Sequence, residues 1–463
     1  MSRSGPPLLG GTPEPRGPRT TFDSDYATHG DYLPQYGDHR YRTTSYDLAL
    51  ECSPGTGRIT ARATISAVAG ETLSEVVFDL GRFRITKVLL DSASPARYTH
   101  RADKLRIRPI RPLPMGAVFT VEVRYTGVPR PIRSREWGEL GWEQLAEGSL
   151  VASQPYGAHS WYPCNDRPDD KARYRIAVTA PSPYTVVANG RLISRTVRAS
   201  TTTWVYDQPA PMAAYLAAVH IGPYALVTLS DAVAVPQRAA VPRELLGGRF
   251  EHDFARQPRM MAVFQDLFGP YPFDEYAVVV TADELEVPIE AQGLSAFGAN
   301  HVDGHRGSER LIAHELAHQW FGNSLTAADW RDIWLHEGFA KYAEWLWSEL
   351  SGGPNAAVLA GRAWGRLALL RRDILIADPG PDRLFDERVY ERGGLTLHAL
   401  RHQLGLEAFV ALLREWTATH RHGSVTTEQF LALADRHSPQ SLERFFQSWL
   451  YERELPALPD RLP

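Results

Sequence analysis

The feature that most constrains the fold of this chain is a change in hydrophobic periodicity along its length. Apolar and polar residues alternate over Tyr46–Cys52, and the same period of two returns at Ile59–Ile65 and Phe119–Tyr125. Beyond residue 308, apolar residues recur three and four positions apart. A period of two is typical of a half-buried strand and a period of 3.6 of an amphipathic helix. The chain is therefore predicted to be β-rich in its first half and mainly helical in its second.

This change of pattern divides the 463 residues into three predicted regions. Residues 1–38 are predicted to be a disordered tail, because their first part is rich in Gly, Pro, Ser and Arg. Residues 39–230 are expected to form an antiparallel, sandwich-like β domain with one buried face. Residues 231–463 are expected to form a mainly helical domain, in which 250–268 is predicted to be one continuous helix.

Composition limits the classes of partner. The hydrophobic fraction is 43% and the charged fraction 22%, with a net charge of -4. Nothing in this balance favours a nucleic-acid or anionic-membrane partner, and no segment reaches a membrane-spanning length. The two cysteines, Cys52 and Cys164, are far apart, which favours a reducing compartment over a disulfide framework. Since no signal-peptide core precedes the β pattern, a cytoplasmic location is expected.

A cluster of potential metal ligands stands in the helical half. His314 and His318 are four residues apart, so both imidazoles project from one helix face, and Glu315 can address a metal-bound water from the next position. Glu337, in another helical segment, supplies a third ligand and leaves the fourth zinc position open for water, as a catalytic site requires. A solvated helix face with two histidines is the alternative, but the surrounding apolar residues argue against it. Glu344, one heptad after Glu337, could orient a ligand, as could Asn323, Asp329 and Asp332.

Several blocks together resemble a known family. HELAHQWFGN (314–323) followed by DWRDIWLHEGFAKYAEWLW (329–347) is similar to the gluzincin aminopeptidases of the aminopeptidase N type, which include leukotriene-hydrolysing relatives. The stretch 153–174 resembles the substrate-facing hairpin of the family's β domain, and 388–401 resembles the segment that carries its catalytic tyrosine. The resemblance covers nearly everything after the tail and implies a β domain followed by a thermolysin-like, mainly α-helical zinc peptidase domain.

The resemblance also implies a role for each matching residue. His314, His318 and Glu337 would hold one zinc ion, and Glu315 would deprotonate the attacking water. Tyr390 would donate a hydrogen bond to the oxyanion of the tetrahedral intermediate. Without the neighbouring ERGG, Tyr390 would be interpreted as a core aromatic. The implied substrates are peptides, cleaved at the N-terminal bond; the preferred first residue, the physiological peptides and the oligomeric state are not indicated.

The substrate-binding positions depart from the family pattern. The family's Gly-Ala-Met-Glu-Asn stretch is replaced by VPIEA (287–291), in which Glu290 is retained and should bind the free α-amino group. Gly293 follows and matches the family. Gln154 is also present, but Tyr156 stands where many relatives place a second acidic amine anchor, and His336 stands where they commonly carry Asn. An exposed Glu in an acidic loop remains the alternative interpretation of Glu290.

Other functions remain open on the sequence. A zinc endopeptidase or epoxide hydrolase would keep the metal chemistry without the limit to the first bond, although Glu290 argues against the endopeptidase. A non-catalytic relative would use the cleft only for binding, although all four residues of the metal motif are intact. Larger relatives carry a C-terminal helical-repeat domain over the active site, whereas the catalytic region here ends near residues 445–459. A more open cleft, admitting larger peptides, or a dependence on oligomerisation is therefore expected.

Overall fold

The computed structural model describes residues 32–91, 94–230 and 235–459. Most of the predicted disordered tail, residues 1–38, lies outside these ranges. Its last part, residues 32–38, is described and is fixed to the body of the protein: the Gly37 N–H donates to Asp79 Oδ2 at 2.6 Å, and the Asp38 N–H donates to Asn165 Oδ1 at 2.7 Å. Disorder is therefore the wrong prediction for residues 32–38, because their partners lie far along the chain and local composition does not reveal them.

The first half of the protein is built from strands, as its period-two pattern predicts. In chain order they are Tyr41–Ser53 (β1), Arg58–Ala69 (β2), Val76–Asp79 (β3), Arg84–Leu90 (β4), Ser94–Pro95 (β5), Arg97–Arg101 (β6), Lys104–Arg108 (β7), Val118–Gly127 (β8), Ile132–Ser134 (β9), Gly138–Leu145 (β10), Gly148–Ala152 (β11), Lys171–Pro181 (β12), Thr185–Ala188 (β13), Arg191–Arg198 (β14), Thr201–Ala213 (β15) and Val219–Gly222 (β16).

These strands form three open sheets. An eight-stranded sheet has the order β14-β15-β12-β1-β2-β8-β4-β5, a five-stranded sheet has the order β13-β16-β11-β10-β9, and β3, β7 and β6 form a third. Apolar residues of β1, such as Tyr46 and Leu48, are buried, and the polar residues between them are more exposed, as a one-sided core requires. The pairing is antiparallel except that β1 runs parallel to β12. This exception was not predicted, because strand order depends on contacts between distant segments.

A further sheet contains Tyr224–Ser230 (β17), Gln237–Pro242 (β18), Tyr276–Val280 (β19), Ile289–Ala291 (β20) and Leu294–Phe297 (β21). Its order is β17-β18-β19-β21-β20, so β20 is an edge strand. The sequence placed residues up to 230 in the β domain. The structure instead pairs β17 with β18, which begins the part of the chain that carries the helices.

The helices lie in the second half. They are Arg249–Phe254 (α1), Gln257–Phe268 (α2), Glu309–Ala317 (α3), Trp334–Leu350 (α4), Ala356–Leu367 (α5), Glu387–Leu404 (α6), Leu406–Thr419 (α7), Thr427–Arg436 (α8) and Glu443–Phe446 (α9). The single helix predicted over 250–268 is divided into α1 and α2. Pro258, in the first turn of α2, explains the division, because proline has no N–H to continue a preceding helix but fits a helix start.

One large apolar core runs through strands and helices. Its largest fully buried side chains include Trp161 in the β-rich half and Trp334 in α4. Short strands Thr326–Ala327 (β22) and Ser424–Val425 (β23) pair in parallel and join the loop after α3 to the start of α8. In the described part of the chain, no helix combines the length and the apolar character needed to cross a membrane.

Candidate metal and catalytic site

Three side chains converge at a point between α3 and α4. His314 lies in the last turn of α3, His318 follows directly as its C-terminal cap, and Glu337 lies in the first turn of α4. The Nε2 atoms of both histidines lie 3.4 Å from Glu337 Oε2. The three side chains are buried, and each offers one ligand atom within 4.8 Å of the others.

The spacing of these atoms suits zinc. Zn–N and Zn–O bonds of about 2.0–2.2 Å in a tetrahedron place neighbouring ligand atoms roughly 3.3–3.6 Å apart. The two observed separations of 3.4 Å match this value. Two imidazoles and one carboxylate are the donor set of a catalytic zinc site that keeps one open position. The residues present therefore fit a single zinc ion.

Each histidine is oriented through its other ring nitrogen. His314 Nδ1 is hydrogen-bonded to Glu344 Oε1 at 2.8 Å, and His318 Nδ1 to the backbone carbonyl of Phe321 at 3.0 Å. Such partners hold the ring in place and direct Nε2 toward the metal. Glu344, on the same face of α4 as Glu337, is itself paired with Arg310 and Lys341. The suggested orienting role fits the contacts of Glu344.

The other suggested orienting residues make different contacts. Asn323 Nδ2 donates to the carbonyl of Ala291 at 3.0 Å, and Asp332 Oδ1 accepts from the Thr427 hydroxyl at 2.6 Å. Asp329 caps the short turn that precedes α4 by accepting from the Arg331 N–H. His336 Nε2 accepts from the Ala327 N–H at 2.7 Å. This residue, which directly precedes Glu337, therefore holds β22 in place and does not orient a metal ligand.

Glu315 is buried beside the metal-binding cluster. Among the residues that the structure describes, its Oε2 atom has no hydrogen-bond partner. Burial raises the pKa of Glu315 to about 8, while the charge of His314 acts to lower it and that of Glu290 to raise it. A buried carboxyl with a free oxygen and a pKa near neutrality can accept and return a proton.

Tyr390, from the first turn of α6, lies beside the metal-binding cluster. Its ring stacks over His314 with centroids 6.0 Å apart, and the charge of Glu337 acts on its hydroxyl. Burial raises the pKa of Tyr390 well above its usual value, and the charges of Glu337 and Glu290 add to this. The position depends on a close crossing of α4 and α6, where Gly338 meets Gly393.

Glu290 lies on edge strand β20 and faces the same cluster. Burial raises the pKa of Glu290, whereas the charge of His318 lowers it. The charge of Glu290 also acts on Tyr390 and on Glu315, so these groups lie close to one another. The structure thus brings together Glu290, Tyr390, Glu315 and the three metal-binding side chains.

Gly293 and the turn after β20 are fixed by a residue that the sequence did not single out. Gln319, one position after His318, accepts a hydrogen bond from the Gly293 N–H at 2.8 Å and donates to the carbonyl of Ala291 at 3.1 Å. Gly293 has φ = +73°, in the left-handed region that favours glycine. Gln319 and Asn323 therefore tie the strand of Glu290 to the histidine segment, a role that only the folded structure reveals.

Gln154 stands apart from this network. Its side-chain Nε2 is buried and has no hydrogen-bond partner within the described ranges. Leu145 and Leu150, in the hairpin β10–β11 that leads to it, belong to the same apolar cluster as Leu285 and Ala291, and Ala291 directly follows Glu290. The hairpin therefore lies near the strand of Glu290, although within the described ranges no hydrogen bond joins Gln154 to the other predicted site residues.

Lys171 is a second residue that the sequence did not indicate. Its ammonium donates to the carbonyls of Asn323 at 3.0 Å, Ser324 at 2.8 Å and Gly423 at 3.2 Å. Burial lowers the pKa of this lysine to about 7. Lys171 thereby fastens the start of β12 to the loop after the metal-binding histidines.

Comparison with known proteins agrees with this geometry. Residues 252–449 match the Peptidase family M1 domain, and residues 144–216 match the Peptidase M1 N-terminal domain. The chain is 25% identical over 328 residues to Aminopeptidase M1-B of Oryza sativa subsp. japonica, covering 65% of this chain but 36% of that protein. It therefore spans about a third of the length of this relative.

Two shorter relatives align over most of this chain. Leucine aminopeptidase 2-1 of Meyerozyma guilliermondii is 27% identical over 483 residues, covering 96% of this chain and 73% of that protein. A crystal structure of an M1 zinc metallopeptidase mutant from Deinococcus radiodurans, bound to a Tyr-Ser-Ala substrate, superposes with a TM-score of 0.84. It is 31% identical and the match covers 93% of this chain and 99% of that chain.

Proposed function

Because this chain belongs to peptidase family M1 and is a zinc-dependent peptide-bond hydrolase, we propose that it is an aminopeptidase that removes residues from the N-termini of peptides. The observation that carries the proposal is the position of Glu290. Its carboxylate faces the metal-binding cluster from an edge strand.

In this proposal His314, His318 and Glu337 hold the zinc ion. A zinc ion bound there supplies a Lewis acid that lowers the pKa of a water and polarises a carbonyl group. Glu344 keeps the His314 ring in its binding orientation through the hydrogen bond at Nδ1.

Glu315 is the proton carrier. Its free, buried Oε2 can accept the proton of the attacking water and afterwards return it to the amine that leaves. Because the pKa of the Glu315 carboxyl is raised toward neutrality, both transfers are feasible at the same pH. The carboxylate need not ligate the metal to do this.

Tyr390 stabilises the charge that develops on the carbonyl oxygen. Its hydroxyl is held over the cluster by the stacking of its ring on His314. A donor fixed in advance at the position of an oxyanion stabilises the transition state more than the ground state.

Glu290 limits cleavage to the first bond. A buried or half-buried carboxylate requires a cationic partner, and the α-ammonium of a peptide is such a partner. On the free side of β20 the peptide can pair with the strand as an added extended chain. With its ammonium at Glu290, only its first carbonyl reaches the cluster. Gly293 keeps the turn in place, and Gln154 borders the amine side of the cleft.

Two further expectations belong to this proposal. Peptide turnover is expected in the cytoplasm, which is supported by Cys52 and Cys164 both being free and buried. Peptides are the expected partners, and neither nucleic acid nor a membrane is expected to take part.

The proposal is tested with aminoacyl arylamides that carry either a free or an acetylated α-amine. Purified protein should be assayed before chelation, after chelation and after zinc is restored. We expect hydrolysis of the free-amine substrate only, its loss on chelation and its recovery with zinc. Equal rates on the acetylated substrate would overturn the limit to N-termini and leave an endopeptidase. No hydrolysis of either substrate would favour a non-catalytic role.

A further inference from the structure

Residues 32–38 cross from the helical half of the protein to its β-rich half, and we call this segment the strap. At its first end, the Tyr32 hydroxyl is hydrogen-bonded to Asp378 and accepts from the Gly380 N–H at 3.0 Å. The Arg331 guanidinium lies 5.4 Å from the centre of the Tyr32 ring. These contacts fix Tyr32 beside the loop that precedes α6, the helix of Tyr390.

The other end of the strap is fixed to the β-rich half. The Gly37 N–H donates to Asp79 Oδ2 at 2.6 Å, and the Asp38 N–H donates to Asn165 Oδ1 at 2.7 Å. Gly37 has φ = +69°, and a Cβ at this position would lie 2.2 Å from Arg167 Cγ. The strap can therefore follow this path only with glycine at position 37.

Between its two ends the strap contacts Tyr156, two residues after Gln154. The Tyr36 ring stacks on Tyr156 with centroids 4.3 Å apart and an angle of 14° between the planes. Trp137 packs edge-on against Tyr156 at 5.8 Å and against Phe385 at 5.7 Å. Phe385 precedes α6, so this row of rings connects the strap, the wall of Gln154 and the helix that carries Tyr390.

The packing also explains what Tyr156 does in place of an acidic residue. Its side chain is only 7% exposed, so its ring is committed to Tyr36 and Trp137. The wall consequently lacks a second carboxylate at this position and is instead held by aromatic contacts. Such a stacked pair contributes beyond its buried area, because offset rings attract each other.

We propose that the strap holds the amine-side wall of the cleft, Gln154–Tyr156, in the position that admits a substrate, and that Tyr36 is a positioning residue for substrate capture. This inference rests on the proposed aminopeptidase function, which it deepens. Tyr36 acts through Tyr156 and through the turn that contains it, in which the Gly157 N–H donates to the Ser153 carbonyl at 2.6 Å.

The test compares Tyr36→Ala with Tyr36→Phe, which keeps the ring, and with Tyr98→Ala, which removes an aromatic side chain that is 39% exposed elsewhere on the β-rich half. For Tyr36→Ala we expect KM for free-amine arylamides to rise about three- to tenfold, the range that loss of a stacked pair corresponds to. The value of kcat should change by less than about twofold, because the groups at the reacting bond are untouched. The other two variants should resemble the wild type.

Amide hydrogen exchange over residues 153–161 provides a readout that does not depend on activity. Exchange in this segment should be faster in Tyr36→Ala and in Gly37→Ala, and unchanged in Tyr36→Phe and Tyr98→Ala. If Tyr36→Ala does not fold, Tyr36→Leu takes its place in both experiments. Unchanged exchange in Tyr36→Ala, or a KM no higher than that of Tyr98→Ala, would overturn the proposed role of the strap. If exchange is faster in Tyr36→Ala but the wild type does not hydrolyse free-amine substrates, the strap holds residues 153–161 as proposed and the proposed aminopeptidase function is rejected.

Discussion

Gly338 and Gly393 lie back to back where α4 crosses α6, and a Cβ built on Gly393 would stand 2.7 Å from the Cα of Gly338. No side chain fits between the two helices at this point. Glu337 precedes the first glycine by one residue, and Tyr390 precedes the second by three. The close crossing therefore sets how near the tyrosine hydroxyl lies to the metal-binding carboxylate.

We expect Gly393→Ala to lower kcat at least about tenfold, because the added methyl group forces the helices apart, and overpacking of this kind costs about 1–3 kcal/mol. Steady-state kinetics and a thermal melt measure the two effects. Gly365→Ala in α5 is the matched control, since nothing lies within 4 Å of a Cβ there. That variant should keep its activity and gain up to about 1 kcal/mol in stability. Wild-type kcat in Gly393→Ala would show that the crossing does not position Tyr390.

Glu315→Gln tests the proton carrier. The amide keeps the size of the side chain but cannot accept a proton, so kcat should fall by about 10²–10⁴-fold. Zinc content, measured by atomic absorption, should stay at one ion per chain, because Glu315 is not among the three metal-binding side chains. Wild-type activity in this variant would remove Glu315 from the mechanism.

Glu344→Ala tests the support of a metal ligand. Without the carboxylate the His314 ring loses its partner at Nδ1, and zinc affinity should fall about 10–100-fold. Competition with a chromophoric chelator measures the change. Glu349→Ala lies on the same helix but removes a carboxylate that pairs with Arg401 at 2.9 Å, so its zinc affinity should be that of the wild type. Equal affinities in the two variants would contradict the orienting role of Glu344.

Asp332 predicts a pH dependence of stability. Burial raises the pKa of this carboxyl from 3.8 to about 7, although hydrogen bonds from Thr427 act to lower it. Between about pH 4 and pH 7 the folded protein therefore holds a proton that the unfolded chain has released. The stabilisation that this proton gives is fully present below that range and is lost as the pH rises through it. The unfolding free energy of Asp332→Asn, relative to the wild type, should rise between about pH 4 and pH 7 and stay constant above that range. Urea unfolding measures it, and a difference that does not vary with pH would refute the assignment.

The part of the site that the sequence predicts best is the part built by local geometry. Four residues of spacing place His314 and His318 on one helix face in any helical fold, and seven residues place Glu344 on the face of Glu337. The division of α1 from α2 is equally local, since it follows from Pro258, but a continuous apolar pattern concealed it. Local rules therefore account for the metal-binding face and also for the wrong prediction of one continuous helix over residues 250–268.

The remaining features depend on contacts between distant segments. Glu290 faces the metal-binding cluster because β20 pairs with β21 and because Gln319 and Asn323 hold the carbonyl of Ala291. The spacing of these residues in the sequence does not predict such contacts. The same holds for the strap, whose composition indicated a tail while Tyr156, more than a hundred residues away, supplies the ring on which Tyr36 stacks.

The most direct test of the account is the order in which a peptide is shortened. A pentapeptide with a free N-terminus should be incubated with the zinc-loaded protein, and its products followed over time by mass spectrometry. Successive loss of single residues from the N-terminus, abolished by chelation and strongly slowed in Glu290→Ala, is the predicted result. Internal fragments appearing first, or unchanged products in Glu290→Ala, would contradict the claim that Glu290 confines zinc hydrolysis to the first bond.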